Sequence, residues 1–234
     1  MPTVESIILA GGKGTRLKSI ISDIPKPMAP IGSTPFLDFL IQSLKKQSIK
    51  KIVLSTGYKS EIIEQYFGNG DQEINISYYR EKEPLGTGGA IKAAISLIDS
   101  DLVLILNGDT FFNVDIQSLL AFHSQKDADI TITMRSVEKV DRYGAMHVDD
   151  EGRVIKFAEK AYIESGFING GIYVMNRHLL EEYDLPERFS LENDFFAAYI
   201  ERLKIYGKAY NNYFIDIGIP DDYEKACREL PQLF

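Results

Sequence analysis

Apolar residues in the first half of the chain alternate between two spacings. Short apolar runs rich in branched side chains, typical of buried strands, occur at residues 4–9, 51–56, 74–79 and 102–106. Segments with apolar residues three or four positions apart, typical of amphipathic helices, lie between them at 36–44, 60–67 and 87–98. Thr34 is expected to cap the first helix, with Pro35 at its first position. Alternating strands and helices predict an α/β fold with a mainly parallel sheet and helices on both faces.

The second half of the chain has more strand patterns and fewer helices. Further short strands are expected at residues 130–134, 145–148, 154–157, 171–174, 205–210 and 213–217. The acidic segment 149–152 ends in glycine and is expected to form a hairpin turn. Asn176 and Ser190 are expected to cap two helices, and Pro220 to begin the last one. Because the sequence contains no linker or repeat, we expect residues 1–234 to form a single domain.

Composition and charge exclude several classes of protein. The 234 residues are 44% hydrophobic and 26% charged, as in ordinary soluble domains. The net charge of −8 argues against nucleic acid or an anionic membrane as the main partner. The single cysteine, Cys227, fits a reducing compartment and a packing role. The sequence has no secretory signal and no apolar run of about 20 residues, so we expect a soluble, cytoplasmic protein.

The first predicted strand runs into a glycine-rich loop. Gly11, Gly12 and Gly14 let a ligand approach the backbone, and consecutive N–H groups in such a loop form a site for anions. The loop lacks the third glycine of G-x-G-x-x-G and is not a P-loop, so by itself it fits an ordinary turn equally well. Arg16 and Lys26 follow it, and two cations beside such a loop suit a polyphosphate. Lys26 in isolation is more typical of a surface lysine.

A second glycine-rich turn covers residues 83–90, with the sequence EPLGTGGA. The glycines would let a flat ring and a ribose lie against the backbone, with Leu85 as an apolar cover. The alternative is a simple turn in which Thr87 caps the following helix. The two interpretations are compatible with each other.

Two aspartates follow apolar strands. Asp109 comes after the run at 102–106, and Asp216 lies between Ile215 and Ile217. Carboxylate oxygens in such places are suitable ligands for a hard cation such as Mg²⁺. A carboxylate flanked by buried residues needs a partner, since burying an unpaired charge is strongly unfavourable. The alternative is an aspartate satisfied by backbone N–H groups.

Two further polar segments have the chemistry to bind a sugar phosphate. Glu159 and Asn169 offer a carboxylate and an amide for sugar hydroxyls, and Lys160 offers a cation for a phosphate. Either segment alone would be interpreted as surface charge or as a turn. They gain weight only together with the charged residues described above.

Taken in order, these motifs resemble those of the nucleotidyltransferase family that makes nucleotide-sugars from a sugar 1-phosphate and a nucleoside triphosphate. The motifs are LAGGKGTRL at 9–17, IPKPMAPI at 24–31, EPLGTGGA at 83–90, NGD at 107–109, EK at 159–160, NGG at 169–171 and DIG at 216–218. The resemblance implies the Rossmann-like nucleotide-diphospho-sugar transferase fold, with a mixed, mainly parallel sheet. It covers nearly the whole chain.

The resemblance also implies three groups of site residues. The expected nucleotide-binding residues are Leu9, Ala10, Gly11, Gly12, Gly14, Thr15, Arg16, Glu83, Leu85, Gly86, Thr87 and Gly108. The expected sugar-phosphate-binding residues are Gly144, Glu159, Lys160, Asn169 and Gly170. Mg²⁺ would be held by Asp109 and Asp216, and the expected catalytic residues are Arg16, Lys26 and Asp109.

The implied reaction joins a nucleoside triphosphate to a sugar 1-phosphate and releases pyrophosphate. The EPLGTGGA form and the short chain are similar to guanylyltransferases acting on D-glycero-α-D-manno-heptose 1-phosphate in surface-polysaccharide synthesis. We therefore expect GTP and that sugar phosphate as partners, and a monomer or homodimer. The C-terminal β-helix or acyltransferase domain of many relatives is not expected.

Other functions remain open at this point. Within the class, the alternatives are a mannose 1-phosphate guanylyltransferase and a hexose 1-phosphate uridylyl- or thymidylyltransferase. A non-catalytic protein that binds nucleotide-sugars is disfavoured because the charged residues are intact. A dehydrogenase is disfavoured because the dinucleotide-binding G-x-G-x-x-G motif is missing.

Overall fold

A computed structural model of the chain describes residues 4–12, 14, 17, 23–140, 144–160 and 163–234, without the side chains of 139, 140, 159, 160 and 163. In the first half, the elements are β1 Val4–Ala10, β2 Pro30–Ile31, β3 Thr34–Pro35, α1 Phe36–Lys46, β4 Lys51–Thr56, α2 Ser60–Phe67, β5 Asn75–Arg80, α3 Gly86–Ala94 and β6 Leu102–Asn107. Short 3-10 helices cover Lys26–Met28 and Ile95–Leu97. These elements confirm the predicted alternation, with bounds within a few residues.

The second half continues with short and long strands. Its elements are β7 Thr110–Phe112, α4 Ile116–Gln125, β8 Ile130–Val140, β9 Gly144–Val148, β10 Val154–Lys160, β11 Ile163–Asn176, α5 Ala197–Tyr199, β12 Ile205–Tyr210, β13 Phe214–Asp216 and α6 Pro220–Glu229. A 3-10 helix at Leu179–Glu182 and a π-helix at Leu191–Phe196 precede α5, and a 3-10 turn at Leu230–Leu233 follows α6. The predicted hairpin turn at 149–152 joins β9 to β10.

Three predicted helix caps are wrong. Thr34 belongs to β3, and Pro35 occupies the cap position of α1 without a side-chain hydrogen bond. Thr87 lies inside α3, which begins at Gly86. Asn176 ends β11, because backbone pairing extends that strand further than its apolar pattern indicates.

One predicted cap is confirmed. The hydroxyl of Ser190 accepts a hydrogen bond from the N–H of Asn193, at 3.2 Å. The helix that it caps is of the π type, which the sequence did not predict. The sequence predicts the capping residue, but it does not predict that the helix is of the π type instead of the α type.

A single nine-stranded sheet joins the two halves of the chain. Its main order is β10-β9-β11-β6-β1-β4-β5, and β8 pairs with both β11 and β12. The strands β5, β4, β1 and β6 are parallel, as predicted, whereas β11 is antiparallel to β6. The sheet is therefore mixed, with a parallel central part.

The apolar core lies on both faces of this sheet. Along β6, Leu104 and Leu106 pack on one face with α1 and α4, while Val103 and Ile105 pack on the other with α3. Successive side chains of a strand point to opposite faces, so a strand covered on both sides must be apolar throughout. This explains the continuous apolar run at residues 102–106. No helix in the described part of the chain is long and apolar enough to cross a membrane.

The strand ends bring distant polar residues together. Leu9 of β1 is paired with Asn107 of β6, and the N–H of Gly108 donates to the carbonyl of Leu9 at 3.0 Å. The small antiparallel pair β7–β13 sets Asp216 opposite Thr110. The carboxyl edge of the sheet thus collects residues from the start, the middle and the end of the chain.

His123 gives the fold a specific dependence on pH. Its ring is 3% exposed on α4, with Nδ1 2.9 Å from Oγ1 of Thr131 on β8. Burial lowers the pKa of His123 below its ordinary value of 6.5, although a hydrogen bond with Asn176 and the charges of Asp129 and Asp127 partly oppose this. The folded protein therefore takes up this proton less readily than the unfolded chain does.

We expect His123 to leave the free energy of unfolding unaffected well above pH 6.5, and we expect that free energy to fall as the pH drops from 6.5 towards the lowered pKa and to level off below it. Urea unfolding between pH 7 and pH 5 measures this, and His123→Asn should remove that part of the pH dependence. His147, which is exposed, provides the matched control as His147→Asn. An unchanged slope in His123→Asn would contradict the assignment.

Candidate active site

A cleft lies beyond the carboxyl ends of β1 and β6. We call it the first cleft; its volume is about 320 Å³. It is lined by Leu9, Gly11, Gly12, Lys26, Pro27, Glu81, Pro84, Gly86, Thr87, Asn107, Gly108 and Asp109. Ligands of parallel α/β sheets bind at this edge, where neighbouring loops diverge.

A buried lysine sits between two carboxylates at this cleft. Lys26 is 7% exposed, and its Nζ lies 2.6 Å from Oδ2 of Asp109 and 3.8 Å from Oδ1 of Asp216. Oδ1 of Asp109 also accepts from Oγ1 of Thr110 at 3.3 Å, and Oδ1 of Asp216 accepts from the N–H of Gly218 at 2.8 Å. Pairing and hydrogen bonding compensate the desolvation of these charges.

The local sequence fixes where Lys26 points. It begins the 3-10 helix Lys26–Met28 between Pro25 and Pro27, whose rings restrict the backbone. Gly14 has a φ of +60°, and a Cβ there would lie 2.6 Å from Cβ of Lys26. A residue with a side chain at position 14 would therefore displace the lysine.

The two aspartates have the chemistry to hold a cation. Carboxylate oxygens are hard donors, and Mg²⁺ is commonly bound by one or two carboxylates together with phosphate oxygens and water. The described residues contain no cluster of three or more His, Cys, Asp or Glu side chains suited to a metal. The pair thus fits a cation whose remaining ligands come from a bound phosphate and water.

Glu81 is a lining residue that the sequence did not point to. It directly follows β5, and its carboxylate accepts from Oγ of Ser55 at 3.2 Å and from the N–H of Leu85 at 3.1 Å. A Cβ on Gly11 would lie 2.5 Å from Oε1 of Glu81, so the loop glycine and this carboxylate are in close contact. Its position after a parallel strand was the available signal. Glu83, which was predicted instead, is exposed and lines a neighbouring opening.

The remaining predicted nucleotide-binding residues divide into three groups. Those that line the first cleft are Leu9, Gly11, Gly12, Gly86, Thr87 and Gly108. Those that lie near it without lining it are Ala10, which is buried in β1, Gly14, which packs on Lys26, and Leu85. Thr15 and Arg16 lie outside the described residues. Asn107 of the NGD motif also lines this cleft, and the lining residues that were not predicted include Pro27 and Pro84.

A second cleft, of about 540 Å³, lies beside β9, β10 and β11. It is lined by Gly144, Ala145, Met146, Phe157, Ala158, Asn169, Glu192 and Asn193. The predicted residues Gly144 and Asn169 are among these, whereas Glu192 and Asn193 were not predicted. Glu159 and Lys160 end β10, and their side chains lie outside what the structure describes.

Gly170 has a packing position instead of a lining one. A Cβ at this residue would lie 2.6 Å from both the ring of Phe112 and Oγ1 of Thr133. Only glycine fits between these side chains without a shift of its neighbours. Gly170 therefore lets β11 approach β7 closely beside the carboxylate pair.

Comparisons with known proteins identify the family of the chain. Residues 5–232 match the family model described as nucleotidyl transferase. A D-glycero-α-D-manno-heptose 1-phosphate guanylyltransferase of Aneurinibacillus thermoaerophilus is 48% identical over 227 residues, which are 97% of this chain and 98% of the relative. A mannose-1-phosphate guanylyltransferase of Mycobacterium tuberculosis is 34% identical over 97% of this chain, which matches 64% of that longer protein.

A solved structure shares the fold. HddC from Yersinia pseudotuberculosis superposes with a TM-score of 0.87 and 37% identity, covering 98% of this chain and 100% of that one. HddC has also been solved complexed with GMP-PN, and that structure superposes with a TM-score of 0.85. The nucleotide-diphospho-sugar transferase fold expected from the sequence is thus confirmed. Since the family model matches almost the whole chain, the protein belongs to the nucleotidyl transferase family.

Proposed function

We propose that the protein transfers the guanylyl group of GTP to D-glycero-α-D-manno-heptose 1-phosphate and releases pyrophosphate. The observation that carries the proposal is the buried Lys26 between Asp109 and Asp216 at the edge of the first cleft. A cation beside two carboxylates suits a centre where phosphate charge must be held and moved. The choice of both substrates is supported by the relative with 48% identity.

The reaction needs no covalent intermediate with the protein. A phosphate oxygen of the sugar 1-phosphate attacks the α-phosphorus of GTP, and the bond to the β-phosphate oxygen breaks. Because the attacking oxygen is already an anion, no general base is required. The protein contributes positioning and charge stabilisation, as in other phosphoryl transfers. Lys26 would donate to an oxygen on the α-phosphate, and Arg16 would contact the phosphates.

A divalent metal ion completes this assignment. Nucleotidyltransferases of this family generally use one. We assign Mg²⁺ to Asp109 and Asp216, because the two carboxylates leave its other ligand positions to phosphate and water. Bound there, Mg²⁺ would neutralise phosphate charge. Lys26 holds the two carboxylates close to each other through its own contacts.

Glu81 provides a physical reason for a preference for guanine. The base edge of guanine carries two adjacent donors, N1–H and the N2 amino group, and a carboxylate accepts from both. Uracil and thymine offer one N–H between two carbonyl oxygens, which a carboxylate repels. Each carboxylate oxygen has two acceptor sites, so the contacts of Glu81 with Ser55 and Leu85 leave capacity for a base.

The sugar phosphate is assigned to the second cleft. Gly144 and Asn169 line it, and the side chain of Glu159 would meet sugar hydroxyls. Lys160 would bind the sugar phosphate, and Gly170 would meet the sugar next to Asn169. We also propose that the chain forms a single domain, since one sheet joins both of its halves. We further propose that it acts in the cytoplasm as a monomer or homodimer.

A second candidate within the class is a mannose 1-phosphate guanylyltransferase. The 34% identical relative from Mycobacterium tuberculosis supports this reading. That reaction would use the same nucleotide, GTP, and a different sugar 1-phosphate. A non-catalytic role is disfavoured because Lys26, Asp109 and Asp216 are present and in mutual contact.

The substrates are tested by measuring pyrophosphate release with a matrix of nucleotides and sugar phosphates in the presence of Mg²⁺. The matrix combines GTP, ATP, UTP and dTTP with the 1-phosphates of D-glycero-α-D-manno-heptose, mannose and glucose. We expect the highest kcat/KM with GTP and the heptose phosphate. Turnover with UTP but not with GTP would exclude the guanylyl assignment, and release with no pair would favour the non-catalytic role.

Removal of the central charges should abolish turnover while the fold survives. We expect Lys26→Ala and Asp109→Asn each to lower kcat by about 100-fold or more, because they remove preorganised charge at the reacting phosphate. Lys45→Ala is the matched control, since Lys45 also pairs with two carboxylates, Asp71 and Glu73, but lies at the surface. Near-normal turnover of a folded Lys26 or Asp109 variant would remove that residue from the mechanism.

Base preference should depend on Glu81. In Glu81→Gln, we expect kcat/KM with GTP to fall by about 10- to 100-fold, since a charge-assisted contact is lost. The ratio of UTP to GTP turnover should rise, because an amide both donates and accepts. Glu61→Gln, an exposed glutamate on α2, is the control. An unchanged nucleotide ratio would show that Glu81 does not read the base.

A further inference from the structure

The hydroxyl of Tyr173 lies between the two clefts. Tyr173 is 1% exposed, and its hydroxyl donates to Oε1 of Glu192 at 2.8 Å and accepts from Nδ2 of Asn169 at 2.8 Å. The side chain of Asn107 also acts on this hydroxyl, since it is one of the groups that lower the pKa of Tyr173 against the larger effect of burial. Asn107 lines the first cleft, whereas Asn169 and Glu192 line the second. One buried hydroxyl is therefore bonded to two lining residues of the second cleft and lies near one lining residue of the first.

Glu192 forms a second connection between them. Its Oε2 accepts from Oγ1 of Thr87 at 2.9 Å and from Oγ of Ser190 at 3.2 Å. Thr87 lines the first cleft and also accepts from the N–H of Leu191 at 2.8 Å. The glutamate thus joins α3, at the first cleft, to the helix that borders the second.

The backbone around Glu192 is irregular. Glu192 is the second residue of the π-helix Leu191–Phe196, and π-helical turns are rare and frequently occur at functional sites. Phe196 anchors this helix by stacking on Phe157 of the second cleft, with ring centroids 5.8 Å apart. An anchored helix with a polar first turn holds Glu192 in a defined place.

The chemistry of Tyr173 suits a permanent donor. Burial and the neighbouring Glu192 carboxylate raise the pKa of Tyr173 well above its ordinary value. The hydroxyl therefore remains protonated at physiological pH and donates to Glu192 throughout. It has a structural role in the hydrogen-bond chain and does not carry protons.

We propose that Tyr173 and Glu192 are positioning residues that couple the two clefts. The proposal rests on the proposed function, which places the nucleotide in the first cleft and the sugar phosphate in the second. A nucleotide that fixes Thr87 also fixes Glu192 and, through Tyr173, Asn169, because hydrogen bonds join these residues in one chain. The second substrate then meets side chains that are already ordered, and by linkage the effect is reciprocal.

The coupling is measured by titration calorimetry of D-glycero-α-D-manno-heptose 1-phosphate with Mg²⁺, with and without a bound GTP analogue. The analogue carries a methylene group between its α- and β-phosphorus atoms and does not react. The measured quantity is the dissociation constant of the sugar phosphate without the GTP analogue, divided by its dissociation constant with the analogue bound. We expect Tyr173→Phe and Glu192→Gln each to lower this ratio by about fivefold or more relative to the wild type.

A double variant tests whether the two residues act through one chain. Tyr173→Phe removes the hydroxyl that donates to Glu192, and Glu192→Gln replaces one of the two acceptor oxygens in the same chain, so the double variant should lower the ratio no further than either change alone. Additive losses would overturn the shared chain. Tyr183→Phe and Glu201→Gln are the controls, since Tyr183 packs on the π-helix at Phe195 and Glu201 is exposed after α5.

The outcomes separate this inference from the proposed function. Thermal unfolding checks each variant, and if Tyr173→Phe does not fold, Glu192→Gln alone decides. Wild-type turnover with GTP and the heptose phosphate, combined with an unchanged ratio in the folded variants, would overturn the coupling only. Absence of wild-type turnover with every substrate pair would overturn both.

Discussion

Burial of Lys26 between two aspartates is the interaction on which the rest of the site depends. An isolated buried ammonium group is strongly unfavourable, so the lysine requires its carboxylates. Asp109 comes from the end of β6, and Asp216 comes from β13 near the other end of the chain. Loss of either partner would leave charge uncompensated in a desolvated place. The three positions therefore constrain one another, and the fold must bring them together.

Several small elements serve this requirement. The pair β7–β13 adds little to the sheet, yet its register sets Asp216 beside the end of β6, and the N–H of Ile217 donates to the carbonyl of Asp109. The hydroxyl of Tyr223 on α6 donates to the carbonyl of Pro30. This hydrogen bond attaches the C-terminal helix to the segment that carries Lys26. The C-terminal helix thus stabilises a site formed mainly by the first half.

The parallel part of the sheet could be predicted from the sequence because apolar periodicity depends on burial, and burial on both faces leaves a continuous run. The length of β11 could not be predicted, because Glu164, Gly166 and Gly170 interrupt its apolar pattern. Backbone pairing with β8 is what keeps these residues in the strand. Glu81 was missed for a related reason. Glu81 stands in the charged segment REKE at 80–83, which is typical of a surface loop. Only its position directly after β5 places it at the cleft.

The shape of the second cleft could not be predicted from short sequence motifs. Its polar lining depends on two departures from regular geometry: the shift in the register of β11 before Tyr173, and the π-helix that carries Glu192. Neither is encoded by a local motif, because distant partners stabilise each of them: Thr133 accepts from the N–H of Ile172 at the register shift, and Thr87 and Phe157 contact the π-helix. The short motif NGG therefore names one residue that lines this cleft, Asn169, but not the shape of the cleft. Under the proposed function, selection between a heptose and a hexose would depend on that shape, since the two sugars share the phosphate and the ring.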